Sequence, residues 1–131
     1  MSGIRLFVGL GNPGDKYQNT RHNVGFWWIN FITENHRLSL KNNSKFYGSY
    51  AKHSKDSDYF FLKPNTYMNE SGKSVSALSN FYKIKPEEIL IIHDELDLPA
   101  GNIKLKLGGG HGGHNGIKRI SSLLQTNNFW R

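Results

Sequence analysis

The chain has 131 residues, 37% of them hydrophobic and 21% charged, which fits one globular domain and excludes a disordered or fibrous protein. It contains no cysteine, so disulfide bonds and thiolate metal sites are excluded. The formal net charge of +7 is compatible with a polyanion such as nucleic acid as partner, and equally with an ordinary solvated basic face.

The first half of the chain predicts a strand, a helix and a hairpin. Residues 4–10 are rich in β-formers and end in a glycine-rich turn, which predicts a buried strand. No long apolar stretch of the kind needed for export or membrane insertion precedes them, so we expect a cytoplasmic protein without a membrane partner. Residues 23–35 are apolar on most faces and predict a helix packed on a sheet. Residues 46–53 and 59–62 predict two strands joined by the polar turn 54–57.

The middle of the chain predicts a second helix and a buried strand. Residues 71–82 carry apolar side chains at helical spacing, with Pro86 marking the stop. Residues 89–93 form a continuous apolar run suited to a central strand. Asp94 then falls at the carboxyl end of that strand, where functional residues often gather.

The last third predicts a strand, a glycine loop, a helix and the start of another strand. Residues 102–107 alternate apolar and cationic side chains, residues 108–116 are glycine-rich, and residues 117–124 return to helical spacing. Together the elements predict an α/β fold, a single mixed β-sheet flanked by helices, in one domain over residues 1–131. Residues 129–131 resemble a strand that is only beginning, so we expect the sheet to be incomplete at the C-terminus.

The segment from Gly9 to Gly14 matches the dinucleotide-binding pattern G-x-G-x-x-G, with Glu34 near the distance expected for a ribose-binding acid. That pattern requires a helix to open at the glycines, but Pro13 removes a backbone donor and the polar residues 15–21 indicate a loop. Glu34 also falls at a helix end instead of a second strand end. We therefore interpret the segment as a tight turn and disfavour nicotinamide binding.

The loop 108–116 has six glycines in nine residues and lies in a run from Leu98 to Arg131 that contains no acidic residue. Glycines let a ligand approach the backbone closely, and a helix start beyond them favours an anion. Lys118 and Arg119 add positive charge there. Recognition of a phosphate or carbonyl is favoured over a loop without a ligand.

The candidate chemistry rests on histidine. His111 and His114 are separated only by glycine, and a carboxylate would have to come from His93-Asp94-Glu95, so a metal site is disfavoured. There is no nucleophile elbow and no thiol, which leaves water as the nucleophile. His22 could activate water if an orienting carboxylate and polar amides surrounded it, as the following residues could supply: Asp94, Asn12, Asn69 and Asn115.

Several separated motifs, in this order, resemble the bacterial-type peptidyl-tRNA hydrolase family. The resemblance extends over essentially the whole chain and implies the mixed sheet described above. The motifs are Gly9-Leu-Gly-Asn-Pro-Gly14 with Thr20-Arg-His-Asn-Val-Gly25, Pro64-Asn-Thr-Tyr-Met-Asn-Glu-Ser-Gly72, His93-Asp-Glu-Leu-Asp-Leu-Pro99 and Gly108-Gly-Gly-His-Gly-Gly-His-Asn-Gly116.

The resemblance implies an enzyme that hydrolyses the ester between peptide and tRNA without a cofactor or metal, as a monomer with tRNA as partner. His22 matches the family's general base and Asp94 the aspartate that holds the imidazole. The resemblance further implies that Asn12, Asn69 and Asn115 line the site, binding the peptide main chain and, by implication, the water and the ester oxygens.

Five further residues match positions that contact substrate in the family. Tyr17, Tyr67, Met68 and His114 match positions around the peptide and terminal-adenosine cleft, for which simple packing is an alternative role. Lys106 matches a lysine that clamps the 5′ phosphate of tRNA, a contact that positions RNA more than it reads sequence.

The chain departs from the family at its end, because the resemblance implies further strands, a lid-like segment and a C-terminal helix beyond the strand begun at Phe129. We therefore expect the site residues to be present but the domain to be truncated. Two other classes of function stay open on sequence: a non-catalytic RNA-binding module of the same fold, prompted by the charge, and a nicotinamide-binding domain.

Overall fold

The structure is a computed structural model that describes residues 3–11, 24–54, 58–65, 70–93, 120, 124 and 129–131. Its five strands form one sheet in the order β2-β3-β4-β1-β5. The strands are β1 (Leu6–Gly9), β2 (Lys41–Asn43), β3 (Gly48–Ser54), β4 (Asp58–Pro64) and β5 (Ile89–Ile92), and the two long helices are α1 (Val24–Asn35) and α2 (Ser71–Phe81).

The sheet is mixed, as the sequence predicts. Strand β1 pairs in parallel with both β4 and β5, whereas β2, β3 and β4 pair antiparallel. Parallel pairing requires crossover connections that bring the chain back to the same edge, and α1 and α2 lie within those connections. The carboxyl ends of β1, β4 and β5 consequently lie along one edge of the sheet.

Alternation along the strands divides the apolar side chains between two faces. One face carries Leu6 and Val8 of β1 and packs against Val75 and Leu78 of α2 in the main core. The opposite face carries Phe7, which stacks on Trp28 of α1 with 6.2 Å between ring centroids. In the described part of the chain, α2 therefore packs on one face of the sheet and α1 on the other.

The predicted hairpin is confirmed as the antiparallel pair β3 and β4, whose register runs from Gly48 opposite Pro64 to Ser54 opposite Asp58. Part of its turn, residues 55–57, lies outside the described residues. Strand β2 was not predicted, because its sequence Lys-Asn-Asn has no β-former; pairing with β3 determines its conformation. A 3-10 turn, Ser44–Phe46, joins β2 to β3.

Helix α2 ends at Phe81, within one residue of the prediction of 71–82, but Pro86 does not end it. Lys83 adopts a left-handed conformation with φ 55°, and the amide of Ile84 donates to the carbonyl of Ser79 over 2.8 Å. This local reversal ends the helix. Pro86 instead opens the 3-10 turn Pro86–Glu88, where its missing N–H is no loss.

Strand β5 lies at the end of the described strand order instead of in its middle, yet it has a neighbour on each side. Leu90 forms a parallel bridge with Trp130, in which Ile91 donates to Trp130 over 2.8 Å and Trp130 donates to Ile89 over 2.9 Å. The prediction that a strand begins at residues 129–131 agrees with this bridge.

Other predicted elements lie largely outside the described residues, among them the strand 102–107 and the glycine loop 108–116. Within the predicted helix 117–124, Ile120 and Leu124 are helical. Ile120 is fully buried in the main core and Leu124 packs against that core. Among the helices that the structure describes, none has the length and hydropathy to cross a membrane.

Candidate functional site

All the residues that the sequence nominates for the site lie outside the described part of the chain. The structure describes the residues that flank them: 11 and 24, 65 and 70, and 93 and 120 stand on either side of the stretches that contain these residues. The nominated residues are His22, Asp94, Asn12, Tyr17, Tyr67, Met68, Asn69, Lys106, His114 and Asn115.

The flanking residues 11, 65 and 93 lie at the edge of the sheet where the parallel strands end. The described chain breaks off at Gly11 after β1, at Asn65 after β4 and at His93 after β5. The strand ends are joined directly, since the amide of Leu10 donates to the carbonyl of Ile92 over 2.9 Å. Open α/β sheets place ligands outside the carboxyl ends of their strands, which makes this edge the candidate site.

The start of α1 is packed onto this same edge by two glycines. A Cβ on Gly25 would lie 2.4 Å from the carbonyl oxygen of Ile92 and 2.4 Å from the amide nitrogen of Leu10. A Cβ on Gly9 would lie 2.1 Å from the carbonyl oxygen of Gly25. No side chain larger than hydrogen fits between these backbones, so the first turn of α1 sits on the ends of β1 and β5.

This contact gives Gly9 and Gly25 a physical role that differs from the dinucleotide pattern. In that pattern the helix opens at the glycines themselves. Here α1 begins at Val24, and Gly9 serves close packing of helix on strand. Glu34 lies in the last turn of α1, as the sequence analysis expected.

A cation lies between β4 and α1 close to the candidate edge. The ammonium of Lys63 is 5.0 Å from the centroid of the Phe26 ring, within range of a cation–π interaction. Partial burial lowers the pKa of Lys63 below its ordinary value. The ammonium of Lys63 therefore lies against the first turn of α1, where burial disfavours its charged form.

The start of α2 carries an ion pair near the same edge. The carboxylate of Glu70 lies 3.0 Å from the ammonium of Lys73, one helical turn further on. The Lys73 side chain is 52% exposed and that of Glu70 is 38% exposed, so solvent screens the pair and it contributes little to stability. It does neutralise the acidic residue that follows directly after the nominated segment 66–69.

Sequence reasoning missed a group of polar residues at the β4 end of the edge. The amide of Asn65 donates to the carbonyl of Tyr47 over 2.9 Å, and its side-chain Nδ2 donates to Oδ1 of Asn42 over 2.6 Å. These contacts join residues far apart in the chain. The one sequence signal was the position of Asn65 between Pro64 and the nominated Tyr67, within the Pro64–Gly72 motif.

Among the described residues, the potential metal ligands are scattered. That part of the chain contains no cluster of three or more histidine, aspartate or glutamate side chains able to hold a metal ion. The histidines of the glycine loop, His111 and His114, lie outside it.

Comparison with known proteins identifies the family. The model of the peptidyl-tRNA hydrolase family matches residues 6–131. The chain belongs to this family. It is 54% identical over 131 residues to the peptidyl-tRNA hydrolase of Methylobacillus flagellatus, covering 100% of this chain and 68% of that protein. It is 56% identical over 129 residues to that of Coxiella burnetii, covering 98% of this chain and 67% of that protein.

A solved peptidyl-tRNA hydrolase agrees with the fold. The crystal structure of the enzyme from Acinetobacter baumannii superposes with a TM-score of 0.95 at 51% identity, covering all of this chain and 67% of that one. This confirms the predicted fold class, a mixed sheet flanked by helices. The chain thus spans about two thirds of the length of the peptidyl-tRNA hydrolases it matches.

Proposed function

We propose that this chain hydrolyses the ester that joins peptide to tRNA in peptidyl-tRNA, and so recycles tRNA from peptidyl-tRNA released prematurely by ribosomes. The observation that carries the proposal is the contact of Gly25 with Leu10 and Ile92, in a chain that matches the family over residues 6–131. The printed names of the relatives support the same reaction.

The contact matters because of where the proposed catalytic residues stand in the chain. His22 precedes Gly25 by three positions, and Asp94 follows Ile92 by two. An extended chain covers about 3.3–3.6 Å per residue, so their Cα atoms lie within about 11 Å and 7 Å of two backbones that touch each other. This tethering supports a pairing of imidazole and carboxylate.

In the proposed reaction His22 acts as general base. It takes a proton from water while the water oxygen attacks the ester carbonyl, and Asp94 orients the imidazole and stabilises its charged form. The tetrahedral intermediate expels the ribose oxygen of tRNA, which receives the proton from the imidazolium. The products are a peptide carboxylate and a tRNA with a free hydroxyl.

The remaining nominated residues take binding roles in the proposal. Asn12, Asn69 and Asn115 hold the peptide main chain, and amide donors among them stabilise the developing oxyanion. Lys106 contacts a tRNA phosphate. Contacts with the peptide and terminal nucleotide are assigned to Tyr17, Tyr67, Met68 and His114.

The proposal includes tRNA as partner and a monomeric, cytoplasmic enzyme, because the substrate arises during translation. The lability of an ester to a ribose hydroxyl means that the mechanism calls on no metal or cofactor. A single domain over residues 1–131 completes the proposal.

The test measures release of a labelled acyl group from N-acetyl-aminoacyl-tRNA and from peptidyl-tRNA. We expect His22→Ala to lower kcat by about 10²–10⁴-fold, the usual contribution of general base catalysis, with little change in tRNA binding. Replacement of Asn69 by alanine should cost about 10²–10³-fold if its amide stabilises the oxyanion.

A matched control is His36→Ala. His36 follows the last turn of α1, at the other end of the helix from residue 22, and contacts the ring of His53 with 5.6 Å between centroids. We expect this variant to keep wild-type turnover. Salt-sensitive RNA binding without turnover in the wild type would reject the enzyme and favour an RNA-binding module.

A further inference from the structure

An exposed aromatic residue stands beside the end of β4. Tyr47, between the 3-10 turn and β3, is 49% exposed. Its carbonyl accepts from Asn65, which in turn is bonded to Asn42. We call Asn42, Tyr47 and Asn65 the Tyr47 corner.

The backbone of Tyr47 is held in an unusual conformation. Its φ of 53° and ψ of 36° lie in the left-handed region, which residues other than glycine rarely adopt. This residue ends the 3-10 turn, with the amide of Tyr47 donating to the carbonyl of Ser44 over 3.2 Å, and such outliers persist only where the surroundings enforce them. The position therefore calls for a physical explanation.

The surroundings of Tyr47 supply the enforcement. On one side Phe46 is buried in the core, and its carbonyl accepts from the hydroxyl of Ser74 over 2.6 Å. On the other side a Cβ on Gly48 would lie 2.7 Å from the carbonyl oxygen of Lys63 and 2.9 Å from Cα of Pro64. These contacts hold the backbone on both sides of Tyr47, and the side chain of Tyr47 itself is exposed.

The chemistry of the corner suits a peptide. Within the described part of the chain, Oδ1 of Asn65 and Nδ2 of Asn42 make no hydrogen bond, which leaves one acceptor and one donor of the kinds that match a peptide main chain. The cation of the adjacent turn, Lys45, keeps its ammonium 3.5 Å from the centroid of the Phe81 ring. A phosphate would therefore have to compete with that cation–π contact.

The strand order sets the distance between the corner and the ends of β1 and β5. Tyr47 precedes β3, and β4 lies between β3 and β1 in the sheet. Neighbouring strands are about 4.8 Å apart, so β3 lies roughly 10 Å from β1. An extended peptide covers that distance in about three residues.

We infer that the Tyr47 corner is an outer subsite for the peptide part of the substrate. Tyr47 packs against about the third residue from the ester, and Asn42 and Asn65 bind main-chain groups there. The inference rests on the proposed function, since it takes the ester to lie over the ends of β1 and β5.

The experiment compares two substrates of different peptide length, N-acetyl-aminoacyl-tRNA and tetrapeptidyl-tRNA. We expect Tyr47→Ala and Tyr47→Gly to raise KM for the tetrapeptidyl substrate by about 3- to 10-fold, the usual range for one aromatic contact, and to raise it less than 2-fold for the short substrate. Tyr47→Phe should restore the wild-type KM, because it keeps the ring.

Two further measurements separate binding from folding and from catalysis. Tyr47→Gly relieves the left-handed strain, so we expect its midpoint of thermal unfolding to be equal to or above that of the wild type. Binding of amide-linked tetrapeptidyl and N-acetyl-aminoacyl 3′-aminoadenosine, which cannot be hydrolysed, should show the same length-dependent loss. The exposed α1 variant Phe31→Gln serves as control and should change neither ligand's affinity.

The outcomes are distinguishable. An equal rise in KM for both substrates would mean that the ring contacts RNA, and no change for either would mean an ordinary surface tyrosine; both reject the subsite. If the wild type fails to hydrolyse but binds the tetrapeptidyl analogue through Tyr47, the proposed function fails while the subsite stands.

Discussion

The two faces of the sheet are packed to very different degrees. On the face toward α2, the strand side chains are no more than 1% exposed: Leu6, Val8, Phe60, Leu62, Ile89 and Ile91. On the face toward α1, Phe61 is 6% exposed, whereas Phe7, Leu90 and Ile92 are only partly buried. Helix α2 packs on a fully buried layer of side chains, whereas helix α1 leaves some side chains on its face of the sheet partly exposed.

The helices are also attached in different ways. Helix α2 is held by large apolar side chains and by the buried hydrogen bond from Ser74 to Phe46. Helix α1 is held at its first turn by direct backbone contact through Gly9 and Gly25. The α2 face therefore has the more completely buried core, whereas the α1 face brings the first turn of α1 onto the ends of β1 and β5.

The largest expected effect tests the difference in packing with the same substitution on both faces. Phe60→Ala removes a ring that is 1% exposed and should lower the free energy of unfolding by about 3–5 kcal/mol. Phe7→Ala removes a partly buried ring and should cost clearly less. Urea unfolding of both variants gives the two values, and equal losses would contradict the comparison.

The next effect tests the backbone contact. Alanine normally stabilises a helix relative to glycine by about 1 kcal/mol, but at Gly25 its Cβ would overlap atoms of Leu10 and Ile92. We expect Gly25→Ala to lose about 1–3 kcal/mol of stability, as overpacked sites do, and, under the proposed pairing of His22 with Asp94, to lower kcat as well.

Gly3→Ala is the matched control for this change, because no atom lies within 4 Å of the added Cβ. It should leave unfolding and turnover unaltered. If Gly25→Ala stabilised the protein as an unobstructed helix position would, the close approach of α1 to the strand ends would be refuted.

A smaller effect concerns pH on the α2 face. Burial, followed by the hydrogen bond with Tyr50 and its charge, raises the pKa of Tyr82 to about 12 from an ordinary value near 10. The folded state thus holds the phenol proton more tightly than the unfolded state does. The resulting contribution to the free energy of unfolding is complete below pH 10 and is lost as the pH rises toward 12. In Tyr82→Phe, thermal unfolding midpoints should fall less steeply over that interval than in the wild type.

Much of the fold could be predicted because its apolar patterns are strong. The run at residues 89–93 and the helical spacing at residues 71–82 place β5 and α2 to within a residue or so at each end. Strand β2 could not be predicted, since its polar residues form a strand only through pairing with β3. The end of α2 agrees to within one residue, but its cause, the left-handed Lys83 instead of Pro86, could not be read from the sequence.

The candidate site, like the fold, could be predicted from the sequence only in part. Motifs nominate His22 and Asp94, but proximity depends on a close approach of Gly25 to Ile92 that no spacing rule predicts. Asn65 and Tyr47 could not be predicted as a pair because their hydrogen bond joins residues that lie far apart in the chain. Tertiary contacts of this kind leave no local signature.

The smallest expected effect lies on the outer side of α1. Phe31 is 61% exposed and glutamine is a good helix former, so Phe31→Gln should change the free energy of unfolding by no more than about 0.5 kcal/mol. Removal of an exposed ring should also reduce concentration-dependent association, measured by light scattering. Phe26→Gln on the same helix is 6% exposed in the wild type and should lose several kcal/mol, about what a buried ring contributes. Similar losses for both variants would contradict the burial of Phe26 and the exposure of Phe31, and would show that the outer side of α1 is as tightly packed as its inner side.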